Sequence, residues 1–342
     1  MTKKVLVTGA SGFVGSHVLR HLLVKTDWDI VCPVTFTHKG VQDRIRLAIE
    51  DRPEYLKRVK LVHVDLASPM STVTAHAFGK IDYVFNLASE SHVDRSIEEP
   101  APFVINNVQL ICHLLDWARA HDSLEKFIHI STDEVYGPAP IGHDHAEWED
   151  LHFPSNPYSA SKAAQEDIAY AYWRTYGVPL IVTNTMNIIG EMQDTEKFVP
   201  LIMKKVLNGE TVNLHGDDKG NLGSRFYLHA RNQADALLHI ANTQDVNHYD
   251  AENPVKVPRR FHVVGEKELD NLQMAQLVAD AMGMPLKYEI GDYREGRPGH
   301  DLRYGLDGKL LAATGWVPPL SLEESLDRTV KWTLDHKEWL AL

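Results

Sequence analysis

Two adjacent carboxylates at the end of an apolar segment are the residues of this chain best suited to proton transfer. The segment Lys126–Ile130 leads directly into Ser131, Thr132, Asp133 and Glu134. Buried Asp and Glu side chains are rare unless they are paired or used in chemistry. Adjacent carboxylates also push their pKa values apart, so that one can donate a proton while the other accepts one. The alternative is an exposed turn that carries two solvated acids.

A tyrosine and a lysine four residues apart are a second candidate for proton transfer. Tyr158 and Lys162 share one face if their segment is helical. A phenol with a pKa near 10 is a poor base at neutral pH, but a neighbouring ammonium group stabilises the phenolate and lowers that pKa. The Thr132 hydroxyl is available to hydrogen-bond a substrate hydroxyl. Because Tyr-x-x-x-Lys often occurs by chance, the pair carries weight only together with the elements around it.

A glycine-rich turn near the N-terminus predicts a dinucleotide site. Gly9, Gly12 and Gly15 lie between an apolar strand, Lys3–Val7, and a helical segment, Ser16–Lys25. Gly9 permits the tight turn, Gly12 lets a pyrophosphate approach the backbone, and Gly15 lets the helix pack against the strand. The phosphates would lie at the helix N-terminus, where free N–H groups favour anions. A plain strand-to-helix turn is the alternative.

The ends of the second and third strands bear on the choice between NAD and NADP. Folds that bind NAD usually end the second strand with Asp or Glu for the adenosine ribose, but Asp29–Phe36 is followed by no carboxylate. Either hydroxyl groups hold the ribose, or His38 and Lys39 receive the 2′-phosphate of NADP, so both cofactors stay open. Asp65, at the end of the third strand, either accepts the adenine amino group or caps a turn.

Strands and helices alternate six times over the first 190 residues. This alternation predicts an α/β fold, a Rossmann-like doubly wound parallel sheet with helices on both faces. The predicted strands are Lys3–Val7, Asp29–Phe36, Val59–Leu66, Ile81–Leu87, Lys126–Ile130 and Val178–Met186. The predicted helices are Ser16–Lys25, Gly40–Lys60, Ser71–Phe78, Pro100–His121 and Tyr158–Tyr176, with a polar loop over residues 88–97.

The C-terminal part is more irregular and predicts a smaller, mixed α/β substrate domain. Short β-like segments alternate there with helical ones: Phe198–Leu207, Val212–His215, Phe261–Val264, Asn271–Met282 and Leu322–His336. We expect a dinucleotide-binding domain over residues 1–186, with part of 227–260 returning to it. The substrate domain is expected over residues 187–226 and 261–342.

The composition argues against several other classes of protein. The 342 residues carry a formal net charge of -12, which disfavours a nucleic-acid or anionic-membrane surface. The chain has no apolar run of about 18 residues and no signal-peptide pattern, so we expect no membrane span and no export. Two cysteines, Cys32 and Cys112, fit a reducing, cytoplasmic compartment. The 19 histidines lack a recognised metal-ligand spacing, so no metal site is predicted.

Taken together, the motifs resemble those of the extended short-chain dehydrogenase/reductases. Within that family, Ser131–Gly137 and Ser89–Ile97 are similar to the dTDP-glucose 4,6-dehydratases and their UDP-glucose relatives. Further similar segments are Glu196–Pro200, Arg225–Leu228, Arg297–Asp301 and Gly315–Trp316. The resemblance therefore covers nearly the whole chain. The pair Asp133 and Glu134 is its most discriminating motif, because related epimerases and decarboxylases lack it at this turn.

The resemblance implies an enzyme, a sugar-nucleotide 4,6-dehydratase that makes a 4-keto-6-deoxy sugar with no net change in cofactor. Tyr158 would take the proton of the C4 hydroxyl while hydride passes from C4 to the nicotinamide. Glu134 would then remove the C5 proton as general base, and Asp133 would protonate the departing C6 hydroxyl as general acid. A 4-epimerase, a 5,6-dehydratase or a non-catalytic dinucleotide-binding protein are the alternatives. The nucleotide and the hexose stay open.

The resemblance also implies which residues contact each ligand. The cofactor contacts would be Gly9, Ser11, Gly12, Phe13, Val14, Gly15, Asp65, Leu66, Leu87, Ala88, Ser89, Tyr158 and Lys162. The substrate contacts would be Ser91, His92, Asn187, Lys197, Arg225, Arg297 and His300. Guanidinium groups suit a diphosphate because they can bind its oxygens in pairs.

The family resemblance further implies a homodimer through the helices at residues 100–121 and 158–176. Ile111, Leu114, Ala169 and Tyr172 are extra apolar positions on these helices that would otherwise face water.

Overall fold

The structure is a computed structural model that describes residues 2–37, 39–217, 219–242, 247–248, 257–292 and 301–341. Its strands are β1 (Lys4–Thr8), β2 (Asp29–Val34), β3 (Val59–His63), β4 (Tyr83–Asn86), β5 (Lys126–Thr132), β6 (Leu180–Thr185), β7 (Asn187–Ile189), β8 (Val212–Gly216), β9 (Ser224–His229), β10 (Asn247–His248), β11 (Val257–Val263), β12 (Glu268–Asp270) and β13 (Tyr288–Asp292). Its α-helices are α1 (Phe13–Lys25), α2 (Gln42–Ile49), α3 (Thr72–Phe78), α4 (Val93–Glu98), α5 (Pro100–Ala118), α6 (Pro157–Tyr176), α7 (Phe198–Leu207), α8 (Ala230–Asn242), α9 (Asn271–Ala281), α10 (Lys309–Ala313) and α11 (Leu322–Asp335).

A central sheet organises the fold, in the spatial order β10-β11-β6-β5-β4-β1-β2-β3. Seven of these strands are parallel, and β10 pairs antiparallel with β11 at one edge. The strand order reverses at β1, which pairs with β2 on one side and with β4 on the other. Doubly wound sheets bind their ligands at such a reversal, beyond the carboxyl ends of the strands. The predicted Rossmann-like sheet is therefore confirmed, and β5 ends beside the reversal.

Helices cover both faces of this sheet because its strands are apolar on both sides. On one face, α1 and α8 pack side chains such as Val18, Leu22 and Leu237 against β1, β2 and β11. On the other face, α5 and α6 pack side chains such as Leu114 and Ala169 against β4, β5 and β6. Among the described residues, no helix is both long enough and apolar enough to cross a bilayer.

The C-terminal part forms a second cluster of elements beside the carboxyl edge of the sheet. Strands β7, β9 and β12 make a three-stranded sheet, and β8 pairs with β13. Helices α7, α9 and α11 bury Ile202, Met203, Val278 and Leu326 in a core of their own. The predicted substrate domain resumes at residue 261, whereas β11 continues in the central sheet, beside β6, as far as Val263. The division into two domains itself stays a prediction.

Two predicted elements differ from the structure. The helix expected over residues 40–60 is shorter, because α2 ends at Ile49 and a 3₁₀ turn, Pro53–Arg58, precedes β3. Arg52 is extended, as expected of a residue before a proline, so the helix cannot continue. The loop expected over 88–97 contains α4, whose N-terminus is capped by His92 Nδ1, an acceptor for the N–H of Arg95 at 3.1 Å.

Candidate active site

A buried polar chain joins the neighbouring strands β1, β4 and β5. Thr8 Oγ1 donates to Asn86 Oδ1 at 2.7 Å and accepts from the N–H of Ala88 at 2.9 Å. Asn86 Nδ2 lies 3.0 Å from Nδ1 of His129, and burial lowers the pKa of that imidazole to about 3. His129 is therefore neutral and accepts this hydrogen bond. The sequence alone does not mark these residues, because each looks like an ordinary strand residue until the strands pair.

The glycine turn has the geometry that a dinucleotide pyrophosphate requires. Gly9 has φ +69, and its carbonyl accepts from the N–H of Gly12 at 2.9 Å. A Cβ at Gly15 would lie 2.0 Å from the Gly9 oxygen, so no larger residue fits there. Helix α1 begins at Phe13 without a side-chain cap, so no side chain occupies its first N–H groups. Ser11, Phe13 and Val14 belong to the same turn, and the residues present fit a bound pyrophosphate.

The segment after β2 suits the unphosphorylated adenosine ribose of NAD better than the 2′-phosphorylated ribose of NADP. The hydroxyls of Thr35 and Thr37 lie 2.8 Å apart, and Phe36 between them has φ +53. Lys39 Nζ forms ion pairs with Asp194 at 3.8 Å and Glu196 at 3.2 Å. These carboxylates neutralise the lysine and would repel a 2′-phosphate. His38 lies outside the described residues.

Two further predicted cofactor contacts have structural roles of their own. Asp65 Oδ1 accepts from the N–H of Ala67 at 2.9 Å, which is the turn-capping role that the sequence left as an alternative. Leu66 is buried in the core between the sheet and α3.

Leu87, Ala88 and Ser89 follow β4 at the strand-order reversal, and a Cβ at Gly9 would lie 3.0 Å from the Ala88 nitrogen. The segment after β4 therefore adjoins the glycine turn.

The two adjacent carboxylates lie in a buried turn. Thr132 is the last residue of β5, and a 3₁₀ turn follows over Asp133–Tyr136. Thr132 Oγ1 donates to Asp133 Oδ1 at 2.9 Å and accepts from the N–H of Glu134 at 3.3 Å. Asp133 is only 4% exposed, and burial together with Glu134 raises its pKa to about 7. Asp133 can therefore hold a proton at neutral pH, which a solvated carboxylate does not.

Glu134 has a different set of neighbours. Its Oε2 accepts from Asn156 Nδ2 at 3.3 Å, and the hydroxyl of Tyr304 lies 3.5 Å away. Burial raises the pKa of Glu134, while Asn156 and Arg225 act to lower it. Donors of this kind stabilise the carboxylate form. Asp133 is thus disposed to carry a proton, whereas Glu134 has hydrogen-bond donors that stabilise its carboxylate form.

The N-terminus of α6 links Glu134 to Tyr158. Asn156 Oδ1 accepts from the N–H of Ser159 at 2.9 Å, and Ser159 Oγ accepts in return from the N–H of Asn156 at 3.2 Å. Pro157 is the first helical residue, so Tyr158 lies in the first turn. Asn156 therefore caps the helix that carries Tyr158 and also binds Glu134. The Asn-Pro-Tyr-Ser pattern signals this cap in the sequence, but the sequence analysis did not use it.

Tyr158 and Lys162 occupy the same face of α6, as predicted, and both reach the end of β5. Lys162 Nζ donates to the carbonyl of Ile130 at 2.8 Å and to Gln165 Oε1 at 2.7 Å. Burial lowers the pKa of Lys162 to about 8. Burial and Glu134 raise the pKa of Tyr158, while a hydrogen bond with Thr132 opposes the rise. Tyr158 therefore needs further positive charge before it can act as a base.

Three of the predicted substrate contacts lie together near α4. Lys197 Nζ donates to the carbonyl of Ser91 at 3.2 Å. His92 Nε2 lies 3.5 Å from Glu196 Oε2, and burial lowers the pKa of that imidazole. Asn187 is exposed on β7.

Arg225 is held by backbone carbonyls. Its two terminal nitrogens donate to Leu302 O at 2.6 Å and Asp301 O at 2.5 Å, and its guanidinium carbon lies 4.3 Å from the ring centroid of Tyr304. It therefore positions the segment that brings Tyr304 to Glu134. Sequence reasoning missed Tyr304, because nothing local marks a residue so far along the chain. Arg297 and His300 lie outside the described residues.

Comparison with known proteins gives consistent matches over the full chain. A family model described as "NAD dependent epimerase/dehydratase family" matches residues 5–253. The dTDP-glucose 4,6-dehydratase 1 of Escherichia coli is 34% identical, over 98% of this chain and 94% of that protein. The crystal structure of the dTDP-glucose 4,6-dehydratase DesIV from Streptomyces venezuelae with NAD and TYD bound is 30% identical, with a TM-score of 0.83 over 98% of each chain. A UDP-glucose 4-epimerase from Thermus thermophilus in complex with NAD is 25% identical, with a TM-score of 0.79 over 96% of this chain and 98% of that one.

Proposed function

The chain belongs to the NAD-dependent epimerase/dehydratase family, and we propose that it is a sugar-nucleotide 4,6-dehydratase. Its substrate would be a hexose on a nucleoside diphosphate of the dTDP- or UDP-glucose type. The observation that carries the proposal is the adjacent pair of Asp133, which is buried, and Glu134, which is half-buried, so that the two carboxyl groups have different environments. Epimerisation at C4 requires only oxidation and re-reduction. Loss of water also requires a base at C5 and an acid at the C6 hydroxyl, and this pair supplies both.

The proposed cofactor is NAD, which when bound would supply the hydride acceptor for oxidation at C4 and the hydride donor for reduction at C6. Gly9, Gly12 and Gly15 would hold its pyrophosphate at the N-terminus of α1. Lys162 would lie under its nicotinamide half, next to Tyr158. The ion pairs of Lys39 with Asp194 and Glu196 support NAD over NADP.

The protein's own groups would divide the proton transfers between them. Thr132 would hydrogen-bond the C4 hydroxyl, and Tyr158 would take its proton once positive charge near the ring has lowered the phenol pKa. The resulting C4 ketone acidifies the C5 proton, which Glu134 would remove. Asp133 would donate its proton to the departing C6 hydroxyl, which leaves as water. The proton that Glu134 removed would return to C5 as hydride is added at C6, which completes the methyl group. The remaining predicted contacts would bind the nucleoside diphosphate.

Product masses test this assignment against its nearest alternatives. Purified protein incubated with dTDP-glucose, UDP-glucose and UDP-N-acetylglucosamine should yield, from at least one of them, a product that has lost one water. NMR should place a carbonyl at C4 and a methyl group at C6. An unchanged mass with a new stereoisomer would instead establish a 4-epimerase, an alkene would establish a 5,6-dehydratase, and no product with any of them would favour a binding protein.

The pH dependence of the dehydration should reveal Asp133 as the acid. Because only the protonated carboxyl group can donate, turnover should fall as the pH rises through about 7, the raised pKa of Asp133. The residual turnover of Asp133→Asn should lack the fall near pH 7, since an amide does not titrate there, and any remaining change should follow other groups such as Lys162, whose pKa is about 8. A parent profile that stays level from neutral to alkaline pH would contradict the assignment of Asp133.

We also propose a homodimer through α5 and α6, although not through all of the residues expected from the sequence. Ile111, Leu114 and Ala169 are fully buried between the helices and the sheet, so they cannot face a partner. The outward-facing positions of the two helices instead include Ile105, which is 53% exposed on α5, and Ala160 and Ala171, which are exposed on α6. An exposed large apolar side chain such as Ile105 suits helix-to-helix contact.

Ile105→Glu tests the dimer. The charge should convert a dimer to monomers, because an unpaired carboxylate in an apolar interface is costly to bury. Sedimentation velocity at micromolar concentration would measure the change. Val73→Glu is the matched control, since Val73 is 77% exposed on α3, and it should leave the dimer intact. A parent protein that sediments as a monomer would refute the proposal.

A cytoplasmic location and the expected absence of nucleic-acid and membrane partners stay predictions.

A further inference from the structure

The fold brings together three potential metal ligands that the sequence does not mark as a site. His143, His145 and Asp150 belong to the loop between the 3₁₀ turn after β5 and the start of α6. Each offers one ligand atom, and these atoms all lie within 4.8 Å of one another. His143 Nε2 and His145 Nδ1 both lie 3.1 Å from Asp150 Oδ1. The predicted absence of a metal site rested on sequence spacing alone, and the loop conformation gives reason to revise it.

The separations between ligand atoms suit a tetrahedral ion. Zinc bonds of about 2.0–2.1 Å at tetrahedral angles place neighbouring ligand atoms roughly 3.3 Å apart. The two nitrogen-to-oxygen distances of 3.1 Å are close to this value. Two imidazoles and one carboxylate are also a donor set that zinc prefers over calcium or magnesium, which favour oxygen ligands alone. His143 is exposed, so a water molecule can complete the fourth position.

The buried histidine of the cluster lacks other hydrogen-bond partners. His145 is 8% exposed, and within the described part of the chain neither of its ring nitrogens makes a hydrogen bond of good geometry. Its Nδ1 is near Asp150, but at an angle unsuited to a hydrogen bond. Its ring stacks on Tyr136 with centroids 5.1 Å apart, which fixes its plane. A buried imidazole whose Nδ1 lies beside a carboxylate without a hydrogen bond to it is an arrangement that a metal ion between the two groups would complete.

The groups around the cluster hold it in place. The N–H of Ala146 donates to Asp150 Oδ2 at 2.9 Å, which orients the carboxylate and leaves Oδ1 for the histidines. Arg303 donates to the carbonyls of Pro140 at 2.9 Å and His143 at 2.7 Å. Such supporting bonds orient metal ligands before the ion binds.

We propose that His143, His145 and Asp150 bind one zinc ion per chain, with water as the fourth ligand. The ion would stabilise the loop at its junction with the C-terminal segment. His145 N–H donates to Gly305 O at 2.9 Å, and Asp307 N–H donates to His145 O at 2.8 Å. Tyr304, next to Gly305, is the residue whose hydroxyl approaches Glu134. The bound ion would therefore make the catalytic region more rigid without contacting the substrate.

Zinc binding to the full-length, tag-free protein tests the proposal. After treatment with a chelator, calorimetric titration with Zn²⁺ should show one tight site per chain, and zinc should raise the melting temperature. Asp150→Asn and His143→Asn should each weaken binding at least tenfold, since loss of even an outer partner of a metal ligand costs about 10–100-fold. Co²⁺ should give the intense visible absorption of a tetrahedral site in the parent protein and lose it in both variants.

A matched control separates this cluster from the other histidines. His76 is exposed on α3 and takes no part in the cluster, so His76→Asn should bind zinc as the parent does. Absence of a saturable zinc site would overturn the proposal. So would zinc binding that Asp150→Asn and His143→Asn leave unchanged, because the ion would then lie elsewhere. Both variants alter side chains at the loop surface, and circular dichroism would verify that they fold.

Discussion

Tyr158→Phe is expected to lower turnover by a factor of about 10² to 10⁴, the range typical of a lost acid–base group. The variant should fold, because the Tyr158 ring packs edge-on against Phe103 with centroids 6.3 Å apart and a phenyl ring fills the same space. Asn156 still caps α6, since that cap uses the backbone of Ser159. The loss would therefore reflect the missing hydroxyl alone.

Exchange of the C5 proton with solvent shows which step of the reaction requires Tyr158. The C5 proton exchanges with solvent only after C4 has become a ketone. In heavy water, Tyr158→Phe should lose both deuterium incorporation at C5 and the loss of water. Asp133→Asn should keep the exchange and lose the elimination, whereas Glu134→Gln should lose the exchange. Mass spectrometry of recovered substrate and product measures all three outcomes.

Tyr176→Phe is the matched control for this experiment. Tyr176 ends the same helix and is 50% exposed, with its ring beneath Arg119. It should turn over like the parent. If Tyr158→Phe retained full activity, or if Tyr176→Phe lost as much, the assignment of Tyr158 as the base would be wrong.

The sequence predicted those parts of the site whose function depends on a short local pattern of residues. The glycine turn needs its glycines for backbone geometry, and Gly15 has no room for a side chain. The alternation of strands and helices predicts a parallel sheet, and a parallel sheet brings strand ends such as Thr132 to one edge. Tyr158 and Lys162 are one helical turn apart, so their common face follows from spacing alone.

The parts that were missed depend on contacts between distant segments. Tyr304 reaches Glu134 across 170 residues of sequence. His129 and Asn86 become a polar chain only when β4 and β5 pair. The expected dimer contacts were wrong at Ile111 and Leu114 for a related reason. Helix α5 carries apolar residues on more than one side, Ile105 outward as well as Ile111 and Leu114 inward, so its sequence does not show which of them meet the sheet.

A buried ion pair behind the catalytic turn is expected to make the stability of the protein sensitive to the loss of either partner. Glu166 is fully buried on α6, and Arg260 of β11, which is 3% exposed, binds it directly. The guanidinium carbon of Arg260 lies 5.0 Å from the Trp148 ring centroid and 5.3 Å from that of Tyr136. Burial alone would raise the pKa of Glu166, but Arg260 and His152 hold it well below its usual value.

The same pair positions the end of β5. Asn184 Nδ2 donates to Glu166 Oε1 at 2.7 Å and to the carbonyl of Thr132 at 3.1 Å. Loss of the charge at Glu166 would loosen this bridge. Stability and the placement of Thr132 are therefore expected to change together.

Arg260→Leu should lower the free energy of unfolding by about 3–5 kcal/mol, because it leaves Glu166 buried without its main partner. The double variant Arg260→Leu with Glu166→Leu should recover much of that loss, since no charge then stays buried. Denaturant unfolding of the two single variants and the double variant gives the coupling free energy. Arg46→Leu is the control. It removes an exposed pair with Glu50, which follows the last residue of α2, and should leave the free energy of unfolding nearly unchanged.

The pH dependence of the free energy of unfolding should show the contribution of His152, whose Nε2 lies 3.2 Å from Glu166 Oε2. Burial alone would lower the pKa of His152, but Asp167 and Glu166 outweigh it and raise that pKa to about 9. A raised pKa means that folding favours the protonated imidazole. Its contribution is therefore complete below the unfolded pKa of about 6.5 and is lost as the pH rises through about 9. Glu166→Gln should flatten the fall in unfolding free energy over this range, because the amide no longer stabilises the imidazolium. An equally steep fall in Glu166→Gln would show that the proton is held elsewhere.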